Sequence, residues 1–530
     1  MTEAAPAASP PIPWLGLAAV LLGAFVSTLN GRLSSFGLAD IRGAVHAGFD
    51  EGAWITTAQA VAQMLIAPAA IWVGGVYGAR RVLMEAAAIF ALVCLIQPLS
   101  PNLQTMLALQ FVGGLASGCF IPLTLGFILR NMPPKVWAYG IALYALNLEV
   151  SLNISASLED WYIQHLSWRW IFWQNVPLAL GMWYCLKVGT RPDPINTVHP
   201  PPDWFGLLAG GIGLGLIYAA LDQGNRLDWQ NSGLIWALLC SGVLLLVAFV
   251  INERRSANPG VNLKVAFTAP LPRLLILVGF LRLTILSTAY LIPQFLITVR
   301  GYRSLEVGQT LIWLAVPQLA ICLIAGYSMR RMDPRFVASC GFILICVGCL
   351  MVAHAMTPSW GTDQFLPSQM LQAVGQSFAL SGTVFFAILH LRPQDALTFG
   401  AAIQTARIMG GEIGLAFVTT FLRVRGQVAS NLIGQHVQIG DAQVLQRIQS
   451  YGAATAQAGA GDAAAVSARG AAILNSVVHA TSITQGILDA FVVLAAATAI
   501  TVMLVVTRRA APPGPASHVP LFGRRTARLP

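Results

Sequence analysis

Charge is scarce in this chain of 530 residues. Only 10% of the residues are charged, whereas a typical soluble domain has about 25%. Hydrophobic residues make up 56%, and the mean hydropathy is +0.68. The shortage of charge excludes a soluble globular protein, and the excess of apolar residues excludes a disordered chain. The composition indicates a protein that crosses a membrane several times.

Motifs for nucleotide binding, metal binding and catalysis are missing as well. The sequence has no GxxxxGKS/T phosphate-binding loop and only three lysines, which excludes ATP-driven transport by this polypeptide. The eight histidines are scattered, and none has the spacing of a metal site. No cluster of histidine, carboxylate or nucleophilic side chains lies near a predicted membrane face. We therefore expect no enzyme, no metal and no cofactor.

Long apolar stretches are what the sequence has in abundance. A helix needs about 20 apolar residues to cross the hydrocarbon region of a bilayer. Fourteen such stretches, which we number spans 1 to 14, are bounded by charge, proline or glycine. They cover residues 14–38, 53–77, 82–99, 105–129, 137–158, 171–188, 204–221, 232–251, 274–299, 307–329, 336–356, 365–391, 399–421 and 486–506.

Basic residues are distributed unevenly between the two sides of these spans. Nineteen of the 31 Lys and Arg residues fall in the loops after even-numbered spans and in the C-terminal tail, whereas five fall in the short loops opposite. Loops rich in Lys and Arg stay in the cytoplasm, so both termini are predicted to be cytoplasmic. The same bias accounts for the net charge of +10 without any nucleic acid partner.

Two similar loops indicate an internal repeat. One lies between spans 2 and 3 and the other between spans 10 and 11, and both carry paired arginines. Spans 1–6 and 9–14 would then be two six-helix units, with spans 7 and 8 as an inserted pair. Such repeats are typical of secondary transporters, whose substrates bind between the halves. The residues predicted to act as conformational switches in these loops are Gly78, Arg80, Arg81, Arg330, Arg331 and Asp333.

The predicted organisation has five parts. These are a cytoplasmic tail at 1–13, a first bundle at 14–190, the inserted spans at 204–251, a second bundle at 271–507 and a basic cytoplasmic tail at 508–530. The second bundle includes an outer-face loop at 422–485 whose apolar residues have helical spacing. That spacing predicts a pair of short helices over the outer mouth. A docking surface for a periplasmic partner is the alternative.

Five segments resemble the fourteen-helix EmrB/QacA-type drug:proton antiporters of the major facilitator superfamily. The most specific is SWRWIFWQNVP at 167–177, which resembles that family's entry into span 6. The others are EGAWITTAQAVAQMLIAPAAIWV at 51–73, IPLTLGFILRNMPP at 121–134, ALDQGNRLDW at 220–229 and ARIMGGEIGLAF at 406–417. The resemblance implies an all-α polytopic fold with two six-helix bundles. It also implies multidrug efflux of small amphipathic molecules from a bacterial cytoplasmic membrane, driven by the proton gradient with no other cofactor.

The sequence departs from that family at positions linked to proton coupling. Asn30 stands where span 1 usually has an aspartate, and Gln110 where span 4 usually carries an arginine. Gly75 replaces an acidic residue after span 2, and SASLED at 155–160 replaces a Gly-Pro-rich motif of span 5. These departures identify a divergent member. They leave open a transporter-derived sensor or scaffold, or a facilitator without proton coupling.

Five charged residues lie inside the predicted spans: Arg32, Glu149, Arg282, Arg407 and Glu412. Each of these residues is expected to have a functional or structural role, because placing a charge at the bilayer centre costs about 2.5–3.5 kcal/mol on insertion scales. Spans 1 and 9 come first in their units, and spans 5 and 13 come fifth, so we expect these spans to line a common cavity. Our hypothesis is that the two glutamates exchange protons, and that the arginines of spans 1 and 9 bind anionic substrate groups or compete for the carboxylates. The alternative is static ion pairs that fix the helices.

The arginines favour a carboxylated or otherwise anionic substrate over a lipophilic cation. Polar residues inside the spans extend this candidate pathway, although such residues also serve as contacts between helices. The full set of substrate-pathway candidates is Asn30, Arg32, Gln110, Asn153, Arg282, Gln294 and Arg407. Besides a small-molecule substrate and the lipid bilayer, the resemblance implies a periplasmic membrane-fusion adaptor and an outer-membrane channel as partners.

Overall fold

The computed structural model is helical and has no strand among the residues that it describes. These are residues 14–190, 203–256, 271–390, 396–438, 441–456 and 463–508. The predicted tail at 1–13, and all of the predicted basic tail after residue 508, lie outside the described residues.

The first bundle contains ten helices. They are α1 (Trp14–Phe36), α2 (Leu38–Ala44), α3 (Phe49–Gly52), α4 (Trp54–Val76), α5 (Ala79–Ile96), α6 (Leu103–Gly118), α7 (Phe120–Asn131), α8 (Trp137–His165), α9 (Trp170–Trp173) and α10 (Asn175–Gly189). α6 begins with a side-chain cap, in which Asn102 accepts a hydrogen bond of 2.9 Å from the backbone N–H of Thr105.

The inserted pair consists of α11 (Trp204–Gly224) and α12 (Gly233–Arg255). The second bundle contains α13 (Leu271–Leu286), α14 (Ile292–Thr298), α15 (Ser304–Arg331), α16 (Pro334–Ala355), α17 (Leu366–Ile388), α18 (Ala396–Gly434), α19 (Ala442–Ala456) and α20 (Ala463–Val506). A π-helical turn, Ser287–Leu291, joins α13 to α14. Short 3₁₀ turns occur at Gln97–Leu99, Pro134–Val136 and Asp363–Phe365.

Twelve helical segments in the described part of the chain are long and apolar enough to cross a membrane. They coincide with twelve of the fourteen predicted spans. The other two predicted spans are also helical: span 6 is divided into α9 and α10, and span 13 lies within α18. The polytopic helical architecture is therefore confirmed. The count of fourteen crossings and the orientation stay predictions.

The extension predicted as a pair of short helices is built differently. Its first helix is the separate α19, as expected, but the second is continuous with the last predicted span in α20, which begins at Ala463. α18 likewise continues past the membrane segment to Gly434. α19 packs against α20 where Gly470 meets the backbone of Ile448. Apolar spacing located the helices of this extension but carried no signal for where a long helix is interrupted.

The two bundles contact each other along α8 and α15, and also where α18 packs against α4 and α7. Gly308, near one end of α15, lies so close to α8 that a Cβ there would be 2.8 Å from the backbone nitrogen of Ser157. Near the other end, a Cβ at Gly326 would be 2.7 Å from the ring of Tyr139. Small residues let helix backbones approach closely in membranes, and here they do so at both ends of one pair of helices.

Corresponding arginines bind the carbonyl groups at the end of the last helix of each bundle. Arg80 donates hydrogen bonds to the carbonyl oxygens of Leu186 (3.3 Å) and Lys187 (3.0 Å) at the end of α10. Arg335 forms an ion pair of 2.9 Å with Asp333 and donates to the carbonyl of Arg508, just after α20. The last carbonyls of a helix lack partners within it and carry partial negative charge, so a guanidinium stabilises them.

The other predicted switch residues have local contacts. Gly78, with φ of +83°, turns the chain between α4 and α5, and Arg81 forms an exposed ion pair with Glu85. Arg330 lies over the ring of Tyr139 and Arg331 over that of Tyr327. In the second bundle, then, Arg335 rather than the paired arginines has the contact that corresponds to Arg80.

Candidate functional site

Three arginines from three helices meet near the contact between the bundles. Arg282 of α13 lies within electrostatic reach of both Arg407 of α18 and Arg32 of α1. Arg407 is 8% exposed, whereas Arg32 and Arg282 keep some accessible surface although protein surrounds them. We call these three residues the arginine cluster.

The arginine cluster has no carboxylate partner in the described part of the chain, where five ion pairs form without it. Arg32 instead donates a 3.1 Å hydrogen bond to the carbonyl of Ala289 in the π-helical turn. Arg407 donates to Gln404 on its own helix, at 3.2 and 3.0 Å. The Nε atoms of Arg32 and Arg282 are buried without a hydrogen-bond partner among the described residues. The static ion pairs that the alternative required do not occur there.

A buried tyrosine adds a hydroxyl group to the arginine cluster. Tyr144 of α8 is 0% exposed, and its hydroxyl has no hydrogen-bond partner among the described residues. It lies within electrostatic reach of Arg407 and Arg282. The sequence analysis missed it because a tyrosine in an apolar stretch carries no signal of its own. Together these groups form a cluster of hydrogen-bond donors with excess positive charge, which suits an anion.

Glu149 lies apart from the arginines, at a direct contact between α8 and α17. One carboxylate oxygen accepts a 2.8 Å hydrogen bond from the Ser377 hydroxyl, and the other has no partner in the described structure. Asn153, one helical turn further on, donates to Gln318 of α15 at 3.2 Å. Both residues are buried. They link the first bundle to the second.

Glu412 faces the inserted helix α11 instead of the opposite bundle. It lines a cavity of about 320 Å³ together with Asp222, Asn225 and Arg226. The Tyr218 side chain lies close to its carboxylate. The two glutamates thus face different helices, so the expected single cavity lined by spans 1, 5, 9 and 13 does not describe their contacts.

Asp222 is a site residue that the sequence analysis missed. Its carboxylate accepts hydrogen bonds from the Thr57 hydroxyl of α4 and from Gln223 at 3.0 Å, and it lies within electrostatic reach of Glu412. It falls one residue beyond the predicted end of span 7, inside the motif ALDQGNRLDW. A carboxylate at the end of an apolar run was the available signal.

The segment after α11 binds both bundles. Arg226 pairs with Asp50 of α3 in the first bundle. Asp228 pairs with Arg423 of α18 at 3.7 Å, and the Trp229 indole N–H donates to Thr420 of α18 at 3.0 Å. These contacts give ALDQGNRLDW a physical role, which is to hold α11 between the bundles.

The remaining pathway candidates are dispersed. Asn30 accepts a 2.8 Å hydrogen bond from Asn175 and so contacts α10 within the first bundle. Gln110 is fully buried, and neither atom of its amide has a partner among the described residues. Gln294 lines a second cavity of about 250 Å³ with Tyr290 and Arg423.

The chain matches the family model described as Major Facilitator Superfamily over residues 20–415. It is 24% identical to the multidrug export protein EmrB of Haemophilus influenzae, over 79% of this chain and 82% of that protein. It is also 24% identical to the fatty acid resistance protein FarB of Neisseria gonorrhoeae, over 81% of this chain and 85% of that protein.

A solved structure has the same fold. The human organic anion transporter MFSD10 aligns with a TM-score of 0.56 and 13% identity, over 94% of this chain and 100% of that one. The comparisons thereby confirm the predicted membership of the major facilitator superfamily and the location in a bacterial cytoplasmic membrane. They also confirm that the chain is a transporter and not an enzyme. The chain belongs to the Major Facilitator Superfamily and is a multi-pass membrane transporter of small molecules, similar to bacterial multidrug export proteins.

Proposed function

We propose that this transporter exports small organic anions across the cytoplasmic membrane in exchange for protons. The observation that carries the proposal is the arginine cluster, three cations that converge between the bundles without a carboxylate partner among the described residues. The N-in, C-in orientation predicted from the loop charges is part of the proposal, because it fixes the direction of export.

The charge balance favours an anionic substrate. Three neighbouring guanidinium groups repel one another, and each is costly to bury without compensation. A carboxylate supplies that compensation and matches the planar fork of an arginine with two hydrogen bonds. Tyr144 offers a further donor. The relative that is named a fatty acid resistance protein supports the same class of substrate, since a fatty acid carries a carboxylate.

Proton exchange is assigned to the two glutamates. An ionised carboxylate inside a membrane is costly, and that cost is relieved when the group binds a proton. Glu149 and Glu412 have no cationic partner among the described ion pairs, so both are available for this step. They would replace the aspartate that relatives carry at the position of Asn30. The proton gradient is then the energy source, with no other cofactor.

Partners outside the membrane belong to the proposal as well. The extension formed by α19 and the adjoining ends of α18 and α20 exposes Val428, Leu432 and Leu445. This is where a periplasmic membrane-fusion adaptor, leading to an outer-membrane channel, would bind. Co-purification of such an adaptor with the full chain, and its loss on deletion of α19, would test the assignment.

The test of the function uses the purified protein in liposomes with an imposed pH gradient. We expect gradient-dependent accumulation of an anionic fluorescent probe and little accumulation of a cationic one. Arg282→Ala should reduce accumulation of the anion by about tenfold, whereas Arg254→Ala, at an exposed residue of α12, should not reduce it. Transport of the cation alone, or anion transport that is unchanged in Arg282→Ala, would contradict the proposal. Anion transport that ignores the gradient would favour a facilitator, to which the departures at Asn30 and Gln110 point.

A further inference from the structure

The inserted helix α11 contacts both bundles at the level of Glu412. It packs against α4 on one side and α18 on the other. Asp222 accepts a hydrogen bond from Thr57 of α4, and it lines a cavity together with Glu412 of α18. Tyr218 also lies close to Glu412. Residues of the insertion therefore contact Thr57 of the first bundle and lie near Glu412 of the second. This location suggests that the insertion does more than separate the two bundles.

Tyr218 also connects Glu412 to the arginine cluster. Its side chain lies close to Glu412 and is also within electrostatic reach of Arg282. When an anion binds at Arg282, the charge near Tyr218 changes. Tyr218 can thereby pass an electrostatic effect of anion binding to the Glu412 carboxylate. Local contacts of this kind are how two binding sites acquire a coupling free energy.

Asp222 and Glu412 form a carboxyl pair within one cavity. Two neighbouring carboxylates repel each other, and a proton bound by either relieves the repulsion. Asp222 is fixed to the first bundle through Thr57, and Glu412 belongs to the second, so the force between them acts between the bundles. Binding of a proton would favour their approach, and its loss would favour their separation.

Water can reach this pair. The cavity of about 320 Å³ is far larger than the roughly 30 Å³ that one water molecule occupies in the liquid. It adjoins the second cavity of about 250 Å³, because Asn225 and Thr419 line both. The second cavity reaches Arg423, which pairs with Asp228 in the segment after α11. Together the two cavities extend from Glu412 toward that end of the helices.

We propose that Tyr218 and Asp222 are positioning residues for proton exchange at Glu412, so that the inserted helix takes part in coupling protons to transport. This inference rests on the proposed function. It goes beyond it by assigning the coupling to residues outside the two six-helix bundles. Tyr218 links Glu412 to the anion site, and Asp222 makes the contact between the bundles sensitive to the proton.

The experiment compares two assays of the full chain in liposomes with the same anionic probe. The first is exchange of internal for external probe without a pH gradient, which requires only the anion site and the rocking motion. The second is accumulation driven by a pH gradient, which also requires proton coupling. For Tyr218→Phe and Asp222→Asn we expect exchange within about twofold of the wild type and gradient-driven accumulation reduced by about tenfold or more. Asp222→Glu should restore part of the accumulation.

Tyr184→Phe is the matched control, because that tyrosine is 63% exposed on α10 and should leave both assays unchanged. If Tyr218→Phe and Asp222→Asn keep full gradient-driven accumulation, the positioning role is overturned. It is equally overturned if they lose exchange together with accumulation, since that pattern belongs to a role in folding or anion binding. A wild-type protein that exchanges the probe but ignores the gradient would overturn the proton coupling itself, and this inference with it.

Discussion

The fifth helices of the two bundles, α8 and α18, each carry one buried glutamate, yet the surroundings of these glutamates differ. Glu149 of α8 meets a serine of the opposite bundle at a buried contact. Glu412 of α18 lies near α11 and lines a cavity large enough for water. The inserted helix α11 packs beside α18, which also contacts α4 and α7 of the opposite bundle, whereas α8 packs against α15 and α17. The internal repeat thus places a glutamate on the fifth helix of each bundle. The inserted helix α11 determines whether that glutamate lies beside a cavity from which it can exchange protons with water.

The largest effect is expected from removing the ionisable group that water can reach. Glu412→Gln should reduce gradient-driven accumulation of an anionic probe by about two orders of magnitude. Glu149→Gln should reduce it by about tenfold, because a glutamine can still accept the hydrogen bond of Ser377. Rates of accumulation in liposomes measure both. The control is Glu85→Gln, at an exposed glutamate. Equal losses at the two buried sites would show that their surroundings are irrelevant.

An intermediate effect, on the affinity for the anionic probe, is expected from replacing an arginine of either bundle. Arg32 of the first bundle already donates to Ala289 and lies over the ring of Phe36, 5.0 Å from its centroid. Arg282 of the second bundle has an unpartnered Nε among the described residues, so it has more to gain from an anion. Arg282→Ala should weaken binding of the anionic probe by about tenfold, or ~1.4 kcal/mol, and Arg32→Ala by less.

Calorimetric titration of the detergent-solubilised protein measures both dissociation constants. Arg282→Lys is the informative companion, since it keeps the charge but loses the two-pronged geometry and should bind with intermediate affinity. A larger loss for Arg32→Ala than for Arg282→Ala would reverse the assignment of the main anion contact.

The smallest effect is expected where the bundles are alike. Arg80→Ala and Arg335→Ala each remove a guanidinium from the end of a bundle's last helix. Each should cost about 1 kcal/mol of stability, seen as a similar drop in the thermal unfolding midpoint. Arg81→Ala, which removes only an exposed ion pair, should change it little. A markedly unequal effect of the first two would break the correspondence between the bundles at this end.

The sequence was informative about the fold because membrane helices are specified by long apolar runs, and those runs can be read residue by residue. Single charges in the runs also pointed to the candidate site, as Arg282 and Glu412 illustrate. The convergence of Arg407 with Arg282 could not be predicted, since it depends on how α13 and α18 pack. Tyr144 and Tyr218 carried no signal, because a tyrosine in a membrane helix is as ordinary as a phenylalanine until a charged neighbour is known.

The seam between α8 and α15 restricts how the two bundles can move. Glycines bring the helices together near both ends of α15, so opening this edge at either face would separate a close contact. We therefore expect these two helices to move by small sliding displacements, as in a shear rearrangement. The contact between α8 and α15 would then stay closed while the rest of each bundle rotates around it. A bulky side chain at Gly308 or Gly326 would push these two helices apart and hold the transporter in one conformation of its cycle.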